Sequence, residues 1–415
     1  GTSKHLNQLV EILQRLAKLS DEMHEAQRAG DVAKIQTLCA TNTELRPQLN
    51  AALSQLRTLG PASDEEREIL ALVGPLLKRI READEVFTAW RANLELVRTK
   101  GTKLAGQAVL NAEFANEAPP YDVMKGAFEG VPAVVVAAGP SLDKNFHLLE
   151  GLADRAVIIT MNRCVKTFKK AGIKPHLVVA TEGSEHLPEH FSGVGTEVVE
   201  NLMRRPSVHP DLRETPRRHT FTFRDGSKHE AGLMELLGKE TEPLEGGTVA
   251  HACLQTAYHL GCNPIIVIGQ DLAYSGDKVY SSNDTNSDQR LLVDEKGEFA
   301  AFAGSQPGQA PGTDNVTTAF ALQKVAGWHG EPVPSDRKFI RWIRYFETLL
   351  ATRLTGRTFI NATEGGANID GMTNMRFEDI AFSRNGGPPV VIKGEGSEVT
   401  IDETLRFIED AKKRK

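Results

Sequence analysis

Cysteine is scarce in this chain: four in 415 residues, at Cys39, Cys164, Cys253 and Cys262, with none in a CxxC pair. That scatter excludes a disulfide framework and a cysteine-based zinc site, and it fits a reducing compartment. No apolar run approaches the roughly 18 residues of a membrane-spanning helix. The opening GTSKHLNQLV has no signal-peptide core, so the expected location is the cytoplasm. An excess of positive charge is missing too. With 49 Lys and Arg against 55 Asp and Glu, the net charge is −6, and the basic surface that non-specific nucleic-acid binding needs is absent. Several chemical motifs are also lacking. Gly139-Pro140-Ser141 is not followed by GK[ST], so it is no P-loop, and there is no GxGxxG, HExxH or GxSxG. His186 and His190 lie four apart, but Pro188 between them argues against a shared helix face. No metal site is expected.

What is present describes an ordinary globular protein, 40% apolar and 25% charged, and long enough for two or three domains. Residues 1–100 predict a helical bundle or hairpin. Leu6, Leu9, Leu13 and Leu16 recur at helical spacing, Gly30-Asp31 breaks the pattern, and Pro47 should kink or interrupt the second helix. Gly60-Pro61 is a stop, and Ser63-Asp64-Glu65-Glu66 opens a third helix reaching about Arg98. Such helices either pack and oligomerise or hold a partner; they loosely resemble flagellar export chaperones. Residues 101–129 read as a linker.

From residue 130 the pattern alternates strands with helices, which predicts a doubly wound, mostly parallel α/β sheet over 130–280. PAVVVAA (132–138), 156–161 and 176–180 are buried strands; 197–202 and 219–223 are weaker ones. The stretch EGGTVAHACLQTAYHLGCNPIIVIGQDLAYSG (245–276) is the most informative. Gly246 and Gly247 permit a tight turn, Thr248 caps a helix over 249–260, and Pro264–Gly269 is a strand buried on both faces. Polar groups sit at each strand end: Gly139, Pro140 and Ser141; Asn162 and Arg163; Thr181 and Glu182; Gln270 and Asp271, with Tyr274 just beyond. Open parallel sheets bind ligands at that edge, and a helix N-terminus attracts phosphate. Residues 281–333 begin with a polar, glycine-rich stretch that reads as a lid-like loop. Residues 334–415 predict a C-terminal α/β extension: an amphipathic helix at 335–353, strands at 358–362 and 388–393, and a helix at 398–413.

VVVAAGPSLDKN (134–145), ITMNR (159–163), GIKPHLVVATE (172–182), residues 246–276, GEPVPSDRKFIRWIRYFE (330–347) and INATEGGANIDG (360–371) resemble the motility-associated factor (Maf) flagellin glycosyltransferases. These motifs occur in the family's order over about 125–385. The resemblance implies transfer of a nonulosonic acid, pseudaminic or legionaminic, from its CMP-activated form to Ser or Thr of flagellin. It also implies a central domain similar to the bacterial sialyltransferases. From it, Gly139–Leu142, Asn162 and Gly246–Thr248 should hold the donor, with Tyr274 and Tyr280 on its phosphate. Ala138 stands where the sialyltransferases have asparagine. Such a reaction needs fixed N–H and O–H donors on the leaving phosphate and no metal cofactor. Asp271 could orient the site, and His251 or His329 could take the acceptor's proton; the plainer reading of His251 is a packed helix histidine. Two other readings stay open: a flagellin-binding accessory factor without catalysis, and a pterin pyrophosphokinase using ATP and magnesium, with Asp271 and Glu182 as metal ligands. The expected partners are flagellin, an export chaperone through the N-terminal helices, and other copies of the chain.

Overall fold

The computed structural model describes residues 2–29, 31–57, 100–239, 241–305, 315–380, 382, 392–394 and 397–399. The chain divides into two compact units, 1–102 and 103–415.

In the first unit, α1 (Thr2–Ala29) and α2 (Val32–Arg57) form the expected helical pair. Asp31 starts α2, its Oδ1 accepting from the Lys34 N–H at 2.9 Å. Leu9, Leu13 and Leu16 pack with Ile35, Leu38, Leu45 and Leu49 in a core of their own. The interruption expected at Pro47 is not there: α2 runs through it. A proline removes one helical hydrogen bond, and in a 26-residue helix packed along α1 the remaining contacts hold the rod. The third helix expected from Ser63 lies outside the described residues.

The second unit is built on a parallel sheet. Its central strands are β1 (Ala133–Val136), β2 (Val157–Met161), β3 (Leu177–Ala180) and β6 (Ile265–Ile268), and every residue of these is buried. β4 (Asn201–Arg204) and β5 (His219–Thr222) extend one side; β11 (Phe359–Asn361) and β12 (Thr373–Asn374) extend the other. The eight strands lie in the order β12-β11-β6-β1-β2-β3-β4-β5, and every neighbouring pair is parallel. Continuous Val and Ile runs form such strands because both faces are covered. One cover is α3 (Val249–His259), on which nine residues from Val249 to Ala257 are buried. The β6–β1–β2 neighbourhood matters for function, because β6 and β1 are adjacent though about 130 residues apart in sequence.

Three segments differ from expectation. The 101–129 stretch is no linker: from Lys103 it belongs to the second unit, and Tyr121, Met124 and Phe128 enter the main core. The 281–333 region is not an open loop. It contributes β7 (Arg290–Val293), β8 (Phe299–Ala303) and β9 (Phe320–Ala326), which with β10 (Pro332–Asp336) make a second, antiparallel sheet in the order β10-β9-β8-β7. Its strands are largely exposed, so they lack the apolar runs that reveal a buried strand. Third, Ile392–Gly394 and Ser397–Val399 pair as a small hairpin, so Glu398 and Val399 are strand rather than helix; the rest of the expected C-terminal helix lies outside the described residues. The amphipathic helix is present as α4 (Arg337–Thr352), capped by Asp336, whose Oδ1 accepts from the Phe339 N–H at 2.7 Å.

Candidate functional site at the sheet edge

The carboxyl ends of β1, β2, β3 and β6 lie on one edge, as parallel pairing requires, and this brings the polar strand ends together. At β1 and β6 they lock onto each other. The Asp271 carboxylate accepts from the Ser141 hydroxyl at 2.5 Å and from the Ser141 N–H at 3.3 Å. Gly139 is needed for this closeness: a Cβ there would lie 2.0 Å from Asp271 Oδ2 and 2.6 Å from the Gly269 carbonyl. The Asp271 carbonyl takes the Ala367 N–H at 2.7 Å, and a Cβ on Gly366 (φ +68°) would meet that carbonyl at 2.1 Å. Burial pushes the Asp271 carboxyl up to about 6, against the pull of Ser141. Beside it Gln270 is buried, its N–H donating to Thr363 Oγ1 at 3.2 Å. Asp271 is thus a clamp on the Gly139-Pro140-Ser141 turn, with both carboxylate oxygens engaged.

His251 is equally committed. Its Nδ1 accepts from the Gly247 N–H at 3.1 Å, and its Nε2 donates to the Trp342 carbonyl at 3.1 Å. It is fully buried, and burial pushes its pKa down to about 3. Gly246 (φ +151°) is required above it, since a Cβ would touch His251 Cβ at 2.5 Å. This neutral, doubly bonded ring positions the glycine turn, in keeping with the plainer sequence reading. Thr248 has the extended backbone of an N-cap but its side chain makes no capping bond. The N-terminus of α3 therefore has no side-chain cap from Thr248, and the Trp342 Nε1–H, buried and without a hydrogen-bond partner among the described residues, lies 2.8 Å from where a Gly247 Cβ would be.

Tyr274 is engaged within the chain. Its hydroxyl donates to Asp336 Oδ2 at 2.7 Å, and its ring packs with Phe302, Phe320 and Phe339. Burial and the Asp336 charge both raise its pKa. It joins the second sheet to the cap of α4. Tyr280 is placed otherwise, its ring stacked 4.2 Å from the Arg163 guanidinium. His329 is exposed, with Nε2 3.3 Å from the Glu364 carbonyl on the turn whose Gly365 abuts Ser141 Oγ.

At the end of β2 the pattern reverses. Asn162 is 1% exposed, yet neither its Nδ2 nor its Oδ1 has a hydrogen-bond partner among the described residues. Next to it Arg163 pairs with Asp284 Oδ1 at 3.0 Å and reaches Asn286 Oδ1 at 3.3 Å. The segment 278–286 folds back over the edge: Ser281 N–H donates to the Ala138 carbonyl at 3.1 Å, and Ser282 donates to Asp143 from its N–H at 2.9 Å and its hydroxyl at 2.5 Å. Three more buried atoms in this strap, Ser281 Oγ, Asp284 Oδ2 and Thr285 Oγ1, also lack partners among the described residues. Thr181 and Glu182 are half-buried at the end of β3, and the Glu182 charge acts on both Arg163 and Tyr280. Lys338, on α4, lies 4.8 Å from the Phe339 ring centroid and 5.3 Å from that of Trp342. The strand-end residues are visible in the sequence. Asp284, Ser281, Thr285, Lys338 and Trp342 are not, because only the folded strap and α4 bring them to β2 and α3.

The class this defines is an open parallel α/β domain with a cluster of buried, unpaired polar atoms at the end of β2, among the described residues. A family described as 6-hydroxymethylpterin diphosphokinase MptE-like matches residues 107–277, less than half of the chain. Among solved structures, the chain is similar to a Maf glycosyltransferase from Magnetospirillum magneticum AMB-1, at 15% identity and a TM-score of 0.48. That similarity covers 75% of this chain and 42% of the other, so this chain spans less than half of that protein's length. No curated protein matches the sequence. No helix among the described residues is long and apolar enough to cross a membrane.

Proposed function

We propose that the chain is a glycosyltransferase that moves a nonulosonic acid from a CMP-linked donor to a Ser or Thr hydroxyl of flagellin. The observation that carries the nucleotide half of this reading is Asn162: a buried amide with two unpaired polar atoms costs stability, and a ligand that pairs them explains its place. The sugar and the acceptor rest on the motif resemblance. In this reading the donor phosphate lies at the N-terminus of α3, against the Gly247 turn, the Tyr280 hydroxyl and the Lys338 ammonium. These groups stabilise CMP as it leaves and positive charge develops on the sugar ring. Asp271 and His251 hold the two glycine turns in shape. His329 is left as the acceptor's base, since its Nδ1 is uncommitted when Nε2 donates to Glu364. Attack opposite the leaving CMP inverts the anomeric centre, and no metal enters the scheme.

A second reading, a diphosphokinase using ATP and magnesium, draws on the family match over 107–277. It asks Asp271 to ligate a metal, while both its oxygens already accept from Ser141. The test is incubation of the protein with CMP-pseudaminic or CMP-legionaminic acid and flagellin, read by intact mass. Addition of one or more nonulosonic residues to flagellin, reduced about tenfold or more in His329→Ala, supports the transferase. Conversion of ATP to AMP with a hydroxymethylpterin, and no change in flagellin, replaces it with the kinase.

A further inference from the structure

Among the unpaired atoms at the end of β2, Asp284 Oδ2 is the most costly to leave alone. Asp284 is 5% exposed. Its Oδ1 is fully used, by Arg163 Nη1 at 3.0 Å and by the Asn286 N–H at 2.8 Å, which fixes the carboxylate plane. Its Oδ2 receives nothing from the described residues. Burial raises this carboxyl's pKa despite the pull of Arg163, and its second oxygen has no donor among the described residues. Asn162, the residue before Arg163, supplies one buried donor and one buried acceptor, both unpaired. A fixed acceptor, an amide that donates and accepts, and two hydroxyls, Ser281 and Thr285, are the group types needed to read the edge of a heterocyclic base.

We propose that Asp284 is a specificity residue that accepts a hydrogen bond from the exocyclic amine of the donor's base, and so selects an aminopyrimidine over its oxo counterpart. This rests on the nucleotide-sugar reading above. An amine at that ring position donates to Oδ2, while Asn162 Nδ2 donates to the adjacent ring nitrogen or carbonyl. In uracil a carbonyl takes the amine's place and meets Oδ2 as acceptor against acceptor, leaving both unpaired in a buried site. Sites that hydrogen-bond a substrate group reject the analogue that lacks it more strongly than apolar pockets reject a change of shape. The Arg163–Tyr280 stack and Lys338 lie at the same edge, the first paired with Asp284 and the second acted on by Asp336.

The experiment is calorimetric titration of the full chain with CMP, UMP, and CMP dimethylated on its exocyclic amine, repeated on Asp284→Asn. Asparagine can keep the Oδ1 acceptor for Arg163 and Asn286 and place an amide donor where Oδ2 was. For the wild-type chain, CMP should bind about tenfold or more tighter than UMP and than the dimethylated analogue. In Asp284→Asn the CMP/UMP ratio should collapse and turn toward UMP, which a merely structural carboxylate would not cause. The dimethyl comparison uses the wild-type chain alone and decides the matter if the variant does not fold. CMP binding with equal affinity for all three ligands, or an unchanged ratio in a folded Asp284→Asn, overturns the inference and leaves the nucleotide-sugar reading standing. Failure of CMP to bind the wild-type chain overturns both.

Discussion

On the β6 side of the sheet edge, two side chains are spoken for: Asp271 accepts from Ser141 and packs against Gly139, and His251 bonds at both ring nitrogens. On the β2 side, a few strand positions away, Asn162, Ser281, Asp284 and Thr285 bury five polar atoms with no partner among the described residues. Both sides are polar, buried and at the carboxyl end of a parallel strand, so position alone does not distinguish them. Satisfaction does. Groups whose hydrogen bonds close within the chain shape the turns, and groups left open at a sheet edge are where a ligand could be bound. Asp271 and His251, two of the catalytic candidates in the sequence, and Tyr274, expected on the donor phosphate, fall on the closed side.

The largest effect that sharpens this contrast is expected at Gly139. Gly139→Ala drives a Cβ into Asp271 Oδ2 and the Gly269 carbonyl, and the clamp cannot survive it without backbone shifts. The loss of stability should exceed about 3 kcal/mol by denaturant unfolding. A loss under about 1 kcal/mol would show that the clamp is looser than described.

How far the sequence discloses this arrangement depends on the element. The Val and Ile runs are plain because strands covered on both faces are unbroken apolar text, as at 133–136 and 265–268, and from them the parallel sheet follows. Their order along the sheet follows from pairing and not from any local signal. The antiparallel sheet at 290–336 reads as a lid in sequence because its outward residues are mixed. Leu292, Val293 and Phe299 are about half-exposed there, so no clean alternation survives. For the site, Asn162 and Arg163 are legible from their place at a strand end. The partner that gives them meaning, Asp284, is 121 residues from Arg163 and sits in a run rich in Ser, Asn and Asp, where nothing marks one aspartate over another. Tyr274 and Tyr280 look alike in sequence and are separated only by their surroundings in the fold.

The next effect is a pH dependence on the closed side. Asp271 is held at about 6 in the folded chain, above the usual carboxyl value. A group with a raised folded pKa stabilises fully below its unfolded value, near 4, and that stability is lost as pH rises through about 6. The loss amounts to about 3 kcal/mol at most. Asp271→Asn should flatten this part of the stability–pH curve between about pH 4 and 6, measured by thermal unfolding; an unchanged slope would assign it to other groups.

Smaller still is the contrast between the two tyrosines. Tyr274→Phe removes a hydrogen bond to the buried Asp336 carboxylate and should cost about 1.5–3 kcal/mol of stability, with CMP affinity within about twofold of wild type. Tyr280→Phe should do the opposite, sparing stability within about 0.5 kcal/mol and weakening donor binding. Equal behaviour of the two variants would break the division between closed and open sides.

The measurement that bears most directly on this account is calorimetric titration of CMP into the wild-type chain and into Asn162→Ala, with and without magnesium, beside an unfolding curve for each. The account predicts that CMP binds without regard to magnesium and that Asn162→Ala weakens it by about tenfold or more. It also predicts that Asn162→Ala is as stable as the wild type or slightly more so, because a buried unpaired amide has been removed. Wild-type affinity for CMP in a folded Asn162→Ala, or a marked loss of stability without loss of binding, would contradict the claim that the open atoms of β2 are there for a ligand.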